Sequence, residues 1–134
     1  GPFFLSKEVL PAMQNSGWGR IINIASYAWK SGGKTSGTAY SSSKAAMVGL
    51  TFAIAKQSAE FGVTVNGIAP AYVMSPMVTE QLNDEQRDKM MSEIPVRRFS
   101  EPEEIANCVR FLTSPMSAFI TGEIIDMNGG FQFD

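Results

Sequence analysis

Histidine is absent from the sequence, and cysteine occurs once, at Cys108. An internal disulfide is therefore impossible. A zinc or other transition-metal site, which usually needs several histidine or cysteine ligands, is not expected. A catalytic triad that uses histidine as its base is excluded. Cys108 lies in an apolar helical pattern, where a cysteine usually acts as a small core residue.

Charged residues are also scarce, at 18% of the chain, and their signs nearly balance to a net charge of −2. Nucleic-acid binding rests on clustered lysine and arginine, so we expect no nucleic-acid partner. No apolar run approaches the roughly 18 residues that a membrane-spanning helix needs. We therefore expect no membrane association and a cytoplasmic location.

What the sequence does contain is the material for one α/β domain. Its 134 residues are 44% hydrophobic, which suits a single globular domain. Short apolar runs at 20–25 and 63–69 predict buried parallel strands, and a long helix at 38–61 separates them. A further strand is expected at 123–127. This alternation predicts a partial Rossmann-like, doubly wound parallel sheet of about three strands with flanking helices.

The remaining segments predict smaller elements around this sheet. Residues 3–14 have helical periodicity, 27–38 read as loop, and 74–93 suit short helices over a cleft. Ser100 and Glu103 match a capping box that would open another helix. The helix at 38–61 is apolar nearly all round, so a second subunit is expected to cover one of its sides.

Ser26, Tyr40 and Lys44 form the chemically distinctive group. Tyr40 and Lys44 are four residues apart and so share one face of their helix. A free tyrosine titrates near pH 10, and a neighbouring ammonium and a helix N-terminus both favour its ionised form. Such a tyrosine is suited to general acid–base catalysis. Ser26 follows a strand at the edge where open α/β sheets bind ligands. On spacing alone, a surface lysine packed beside a half-buried tyrosine is the simpler interpretation.

Other motifs accompany this group in a fixed order. Asn-Ile-Ala-Ser at 23–26 precedes Tyr-x-x-x-Lys at 40–44, and Asn-x-x-x-Pro-Ala-x-Val follows at 66–73. Pro-Glu-Glu-Ile-Ala stands at 102–106, and Thr-Gly and Asn-Gly-Gly lie within 121–130. Together, over nearly the whole chain, these motifs resemble the short-chain dehydrogenase/reductase family. The resemblance implies an NAD(P)-dependent oxidoreductase that interconverts a carbonyl and a secondary alcohol.

The resemblance also implies roles for individual residues. Tyr40 would exchange a proton with the substrate oxygen, and Ser26 would position and polarise the carbonyl. Lys44 would favour ionisation of Tyr40 and, with Tyr40, hold the nicotinamide ribose. The segment containing Pro70 would lie along the nicotinamide. The implied contacts at the carboxamide end of the cofactor are made by Val73, through its backbone, and by Ser75.

Two substitutions and one absence set this chain apart from the family pattern. Ala71 replaces the usual glycine after Pro70, and Asn128 replaces the usual aspartate. The phosphate-binding Thr-Gly-x-x-x-Gly-x-Gly motif is not present. We therefore expect residues 1–134 to be the C-terminal part of a single NAD(P)-binding Rossmann-like domain without its N-terminal glycine-motif half. Alone, it is expected to be inactive and to need a partner, and NAD and NADP both stay open as the cofactor.

Two further questions have alternative answers at this stage. In one interpretation the chain is part of an oxidoreductase that acts on a small-molecule carbonyl or alcohol. In the other it is a non-catalytic interaction or oligomerisation module of the same fold. Trp29, Tyr72 and Met74 are pocket candidates for the substrate. Gly17, Trp18 and Phe61 stand where carrier-protein reductases tend to be basic, which argues against a 3-oxoacyl reductase, the alternative substrate assignment. A homo-oligomer, a dimer or tetramer through helix 38–61, is expected.

Overall fold

The fold is seen in a computed structural model that describes residues 1–33 and 36–133. Within these residues, helices and three parallel strands alternate along the chain, which confirms the predicted α/β class. In chain order the elements are α1 (Pro2–Ser16), β1 (Gly19–Ile24), α2 (Ala28–Ser31), α3 (Thr38–Ser58), β2 (Val63–Pro70), α4 (Pro76–Gln81), α5 (Asp84–Glu93), α6 (Pro102–Thr113) and β3 (Ile124–Met127). Short 3₁₀ turns follow α3 at Ala59–Phe61 and α6 at Pro115–Ser117.

The sheet has the order β1-β2-β3, so β2 is its central strand. Gly19 pairs with Val63 at one end of the β1–β2 ladder, and Gly67 pairs with Ile124 in the β2–β3 ladder. Every residue of β2 is buried, as its apolar run predicted, because strands flank both of its edges and helices α3 and α6 pack against it. The outer edge of β1 has no strand partner among the described residues.

Helix α3 supplies most of the packing against the sheet. Ile54 and Ala55 pack with Val63 and Val65, and Val48 packs with Ala25 and Ala69 nearer the carboxyl ends of the strands in two apolar clusters. Phe52 points away from this contact and is half exposed. The prediction of a long helix is confirmed. Its last turn tightens to 3₁₀ before Gly62, whose φ of 72° ends the helix.

Two local predictions were wrong for identifiable reasons. The segment expected to be loop contains the one-turn helix α2, which ends at Gly32 with a φ of 73°. The capping box lies one residue later than predicted: Glu101 is the N-cap, and its N–H donates to Glu104 Oε2 over 2.8 Å. Pro102 explains the shift, because proline is favoured in the first turn of a helix and cannot donate a backbone hydrogen bond there.

Asn66 connects the central strand to the turn that leads into β3. Its side chain is fully buried, its Nδ2 donates to the carbonyl of Ile120 over 2.9 Å, and its Oδ1 accepts from the N–H of Glu123 over 3.0 Å. Both ends of the amide are therefore used inside the protein. None of the described helices combines the length and apolar character that a membrane crossing requires.

Candidate active site

Ser26 lies just past β1, in a segment that continues to pair with β2. The N–H of Ala25 donates to the carbonyl of Ile68 over 2.7 Å, and the N–H of Tyr27 donates to that of Pro70 over 2.8 Å. Ser26 Oγ in turn accepts from the N–H of Ala28, at the start of α2, over 3.2 Å. The half-buried hydroxyl is thus held from both sides at the carboxyl edge of the sheet.

Tyr40 and Lys44 occupy the first two turns of α3, on the face that leans towards the end of β1. Lys44 Nζ donates to the carbonyl of Ile24 over 2.8 Å and lies 5.7 Å from the centroid of the Tyr40 ring. The ring is 45% exposed, and its hydroxyl makes no hydrogen bond to any described residue. The lysine therefore joins the start of α3 to the strand that carries Ser26.

The Lys44–Ile24 bond is a site contact that sequence reasoning missed. Its acceptor is a backbone carbonyl, which every residue type possesses, so no residue-type signal could have identified it. A second unforeseen contact supports the same junction from inside. Asn23 Nδ2 donates to Thr51 Oγ1 over 2.9 Å, and both side chains are buried. These bonds fix α3 against β1 close to the predicted catalytic residues.

The segment from Pro70 to Ser75 leaves the sheet at the same edge. Around Val73, the N–H of Met74 donates to the carbonyl of Ser100 over 2.8 Å, and the N–H of Ser100 donates to that of Tyr72 over 3.0 Å. Within the described part of the chain, the N–H and carbonyl of Val73 itself make no hydrogen bond. Ser75 is the N-cap of α4, yet its hydroxyl does not cap that helix. The segment therefore presents open polar groups.

A small cavity of about 40 Å³ lies between the Ser26 turn and this segment. Its lining residues are Tyr27, Ala28, Ser31, Gly33, Ser36, Ala71 and Tyr72. Of the three pocket candidates named from the sequence, only Tyr72 lines it. Trp29 packs instead against the Ala25 core cluster, and Met74 packs in a cluster around Val78 and Phe99. The apolar character of these two side chains could not distinguish pocket from core.

A second cavity of about 160 Å³ lies on the other side of Tyr72 and contains an ion pair. Arg98 donates to both carboxylate oxygens of Glu104, over 2.6 and 2.8 Å. The hydrogen bond from Arg98 lowers the pKa of Glu104 to about 2, and the same contact raises the pKa of Arg98. Both side chains are well exposed, and we interpret the pair as a structural contact that holds the first turn of α6 to the segment before it.

Comparison with known proteins identifies the group to which this fold and sequence belong. One of the family models for short-chain dehydrogenases/reductases, described as enoyl-(acyl carrier protein) reductase, matches residues 1–132. The chain belongs to the short-chain dehydrogenase/reductase family. The motif-based resemblance is thereby confirmed over nearly its full extent.

Curated members of the family are similar over half of their own length. The 3-oxoacyl-(acyl-carrier-protein) reductases of Rickettsia bellii and Vibrio cholerae are 41% and 43% identical over 128 residues. In each case the match covers 96% of this chain and 52% of the relative. Acetoacetyl-CoA reductase of Cupriavidus necator is 41% identical over 96% of this chain and 51% of its own. The chain thus spans about half the length of these relatives.

Solved structures of family members show the same arrangement. A 3-oxoacyl-(acyl-carrier protein) reductase from Brucella melitensis superimposes with a TM-score of 0.92 at 29% identity, over 96% of this chain and 48% of the other. A candidate NAD(P)-dependent gluconate 5-dehydrogenase from Beutenbergia cavernae, solved with NADP at low occupancy, gives 0.90 at 35% identity. That match covers 97% of this chain and 52% of the other. The Rossmann-like fold is confirmed.

Proposed function

We propose that this chain carries the catalytic side of an NAD(P)-dependent oxidoreductase that interconverts a carbonyl and a secondary alcohol. The observation that carries the proposal is the junction of α3 with β1, where the Lys44–Ile24 bond joins the Tyr40 turn to the end of the strand that Ser26 follows. Family membership and the open hydroxyl of Tyr40 support it. A non-catalytic module would have no use for that combination.

Each of the three side chains has a defined task in the proposed reaction. Ser26 Oγ already accepts a hydrogen bond from Ala28, so its own O–H is left to donate to the substrate carbonyl oxygen. Tyr40 supplies a proton to that oxygen in reduction and removes it in oxidation. Lys44 stabilises the negative charge that develops on the Tyr40 oxygen. The nicotinamide, when bound, supplies or accepts the hydride at the carbonyl carbon.

The residues present fit the nicotinamide end of such a cofactor. Val73 has a peptide N–H and carbonyl free of described partners, which suits a carboxamide that both donates and accepts. Pro70 and Ser75 border the same stretch, and the uncapped Ser75 hydroxyl adds a further polar contact. Tyr40 and Lys44 would hold the ribose hydroxyls. Neither NAD nor NADP is favoured by these groups.

The domain assignment follows from the same considerations. We propose that residues 1–134 are the C-terminal part of one NAD(P)-binding domain, in accord with the half-length match to relatives. The phosphate-binding glycine motif would then come from outside this chain, and the isolated chain would not turn over substrate. Oxidation of NAD(P)H by the purified 134-residue chain would contradict this. Because such an enzyme uses a soluble cofactor, we propose a cytoplasmic location for the complete protein.

The decisive experiment is Tyr40→Phe in the complete protein. We expect kcat to fall about 10²- to 10⁴-fold, because the proton donor is lost while the ring remains. Cofactor affinity, measured by NAD(P)H fluorescence, should change little, since the Lys44 and Val73 contacts persist. Full activity in the variant would instead favour the non-catalytic module.

The substrate is a small-molecule carbonyl or alcohol, and the relatives now favour a 3-oxoacyl thioester within that class. The expectation against it relied on Gly17, Trp18 and Phe61. In the structure Tyr40 and Phe61 lie at opposite ends of the α3 region, about 30 Å apart at the rise of a helix. Phe61 is therefore too far from Tyr40 to contact the reacting end of a substrate in the same copy. Comparing turnover of acetoacetyl-CoA with that of a keto sugar acid tests the choice.

The outer face of α3 is the proposed contact between copies of the protein. Together with the start of α1 it forms a groove lined by Pro2, Phe3, Ser43, Lys44, Ala46, Met47 and Leu50. Phe3 lines this groove and is 58% exposed, which is costly for a monomer in water. We propose that a second copy covers it, as a dimer or as part of a tetramer.

Phe3→Lys in the complete protein tests this contact, because Phe3 lines the groove and is more than half exposed. A charge placed in a buried apolar interface would remain unpaired, so we expect the oligomer to dissociate. Light scattering coupled to size exclusion measures the mass. Met116→Lys is a matched control, because Met116 is almost fully exposed and lies on the 3₁₀ turn after α6. An unchanged mass for Phe3→Lys would contradict the proposed interface.

A further inference from the structure

The turn that carries Ser26 is fastened to the C-terminal segment by contacts of long sequence separation. We call residues 25–31 the serine turn and residues 126–132 the C-terminal segment. Lys30 Nζ donates to Asp126 Oδ2 over 2.6 Å, and the hydroxyl of Tyr27 donates to Gln132 Oε1 over 2.7 Å. The Tyr27 ring also meets the Phe131 ring edge to face, with centroids 5.2 Å apart. These contacts attach both ends of the serine turn.

The serine turn has little stability of its own. Helix α2 is a single turn, and two glycines with φ values of 73° and 82°, Gly32 and Gly33, follow it. A one-turn helix is not stable in isolation, because the cost of nucleation is repaid by too few hydrogen bonds. Its orientation therefore depends on what holds it from outside.

The orientation of α2 determines where the Ser26 hydroxyl lies. The N–H of Ala28 donates to Ser26 Oγ over 3.2 Å, and the N–H of Trp29 donates to the Ser26 carbonyl over 3.1 Å. A displacement of α2 would therefore move or release the hydroxyl. Lys30, in the same turn, is the residue through which the C-terminal segment can prevent that displacement.

The Lys30–Asp126 pair is placed to be effective in this way. The two side chains are 19% and 20% exposed, compared with 57% and 40% for Arg98 and Glu104. Charges that are mostly removed from water are less screened by salt and solvent. The Lys30 ammonium also lies 5.5 Å from the centroid of the Trp29 ring, which packs on the core. The lysine is thus held at both its stem and its charged end.

We propose that Lys30 and Asp126 are positioning residues that hold the Ser26 hydroxyl in register with the reacting oxygen. This inference rests on the proposed oxidoreductase function. The pair touches neither substrate nor cofactor and acts through Ser26. Its loss lowers the rate of the chemical step and leaves cofactor binding intact.

The test uses Asp126→Asn and Lys30→Met in the complete protein, each made alone and in a Ser26→Ala background. Misplacement of a catalytic group by about 1 Å costs up to about 100-fold in rate, so we expect kcat to fall about 10- to 100-fold in the wild-type background. In the Ser26→Ala background the same changes should cost less than about twofold, because the residue through which they act is gone. Lys30→Arg, which keeps the charge, should restore most of the activity.

Three controls make each outcome decisive. Arg87→Met removes the partner of Asp84 in an exposed ion pair on α5 and should leave kcat unchanged. Thermal denaturation and NAD(P)H fluorescence report folding and cofactor affinity, neither of which a positioning role would move much. Equal losses of kcat in the wild-type and Ser26→Ala backgrounds, or losses that follow the melting temperature, would overturn the positioning role of Lys30 and Asp126. The proposed oxidoreductase function would still be tested separately by Tyr40→Phe. If the Ser26→Ala variant and the Tyr40→Phe variant were each fully active, both the positioning role and the proposed oxidoreductase function would be overturned.

Discussion

Asn66 and Ser26 are polar residues associated with neighbouring strands, and the structure treats them in opposite ways. Asn66 lies in the middle of the sheet, fully buried, with its amide oxygen and nitrogen both bonded to the turn before β3. Ser26 lies at the carboxyl edge, half-buried, with its oxygen accepting one backbone N–H and its hydroxyl proton donated to no group among residues 1–33 and 36–133. Hydrogen bonds at the centre of the sheet hold the fold, whereas groups at its edge are oriented but not saturated.

Ser26→Ala is expected to give the largest difference between an effect on activity and an effect on stability. We expect kcat to fall about 10²- to 10³-fold, because a donor to the substrate oxygen is lost, with little change in unfolding free energy. Steady-state kinetics and urea denaturation of the complete protein measure the two. Ser58→Ala is a matched control, since Ser58 is fully buried on α3 and donates to the Ile54 carbonyl over 2.7 Å. If both serines behaved alike, the contrast between edge and centre would be lost.

Asn66→Ala should give the opposite pattern. The carbonyl of Ile120 and the N–H of Glu123 would lose their partners inside the protein, and we expect a destabilisation of about 2–3 kcal/mol. The midpoint of urea unfolding measures this. Activity per folded molecule should stay close to that of the wild type. A selective loss of kcat without loss of stability would mean that Asn66 contributes to the reaction itself.

The smallest expected effect is a pH dependence at the Arg98–Glu104 pair, in the cavity on the other side of Tyr72. The pKa of Glu104 is lowered from 4.5 to about 2, so the folded state binds its proton less readily than the unfolded state. The stabilisation is therefore present above pH 4.5 and is lost as the pH falls from about 4.5 towards 2. Glu104→Gln should be slightly less stable than the wild type at pH 7 and indistinguishable from it near pH 2. An equal difference at both values would exclude the ion pair as its cause.

Much of the fold and of the candidate site could be predicted from the sequence because the signals were local. The apolar runs of β1 and β2 and the spacing of Tyr40 and Lys44 are readable within a few residues. The contacts that complete the site are not local. The partner of Lys44 is a backbone carbonyl, and Lys30 and Asp126 are 96 residues apart. Trp29 was a pocket candidate and packs against the Ala25 cluster, and its residue type alone does not distinguish core from pocket positions.

The separations of these contacts also bear on the order in which the molecule assembles. The bond between Lys44 and Ile24 closes a loop of 20 residues, whereas that between Lys30 and Asp126 closes one of 96. Short loops lose less entropy on closure and tend to form earlier in folding. The junction of α3 with β1 would then arise before the C-terminal segment docks. On this order, Tyr40 and Lys44 are placed against β1 first, and the contacts that hold the serine turn from the C-terminal segment follow.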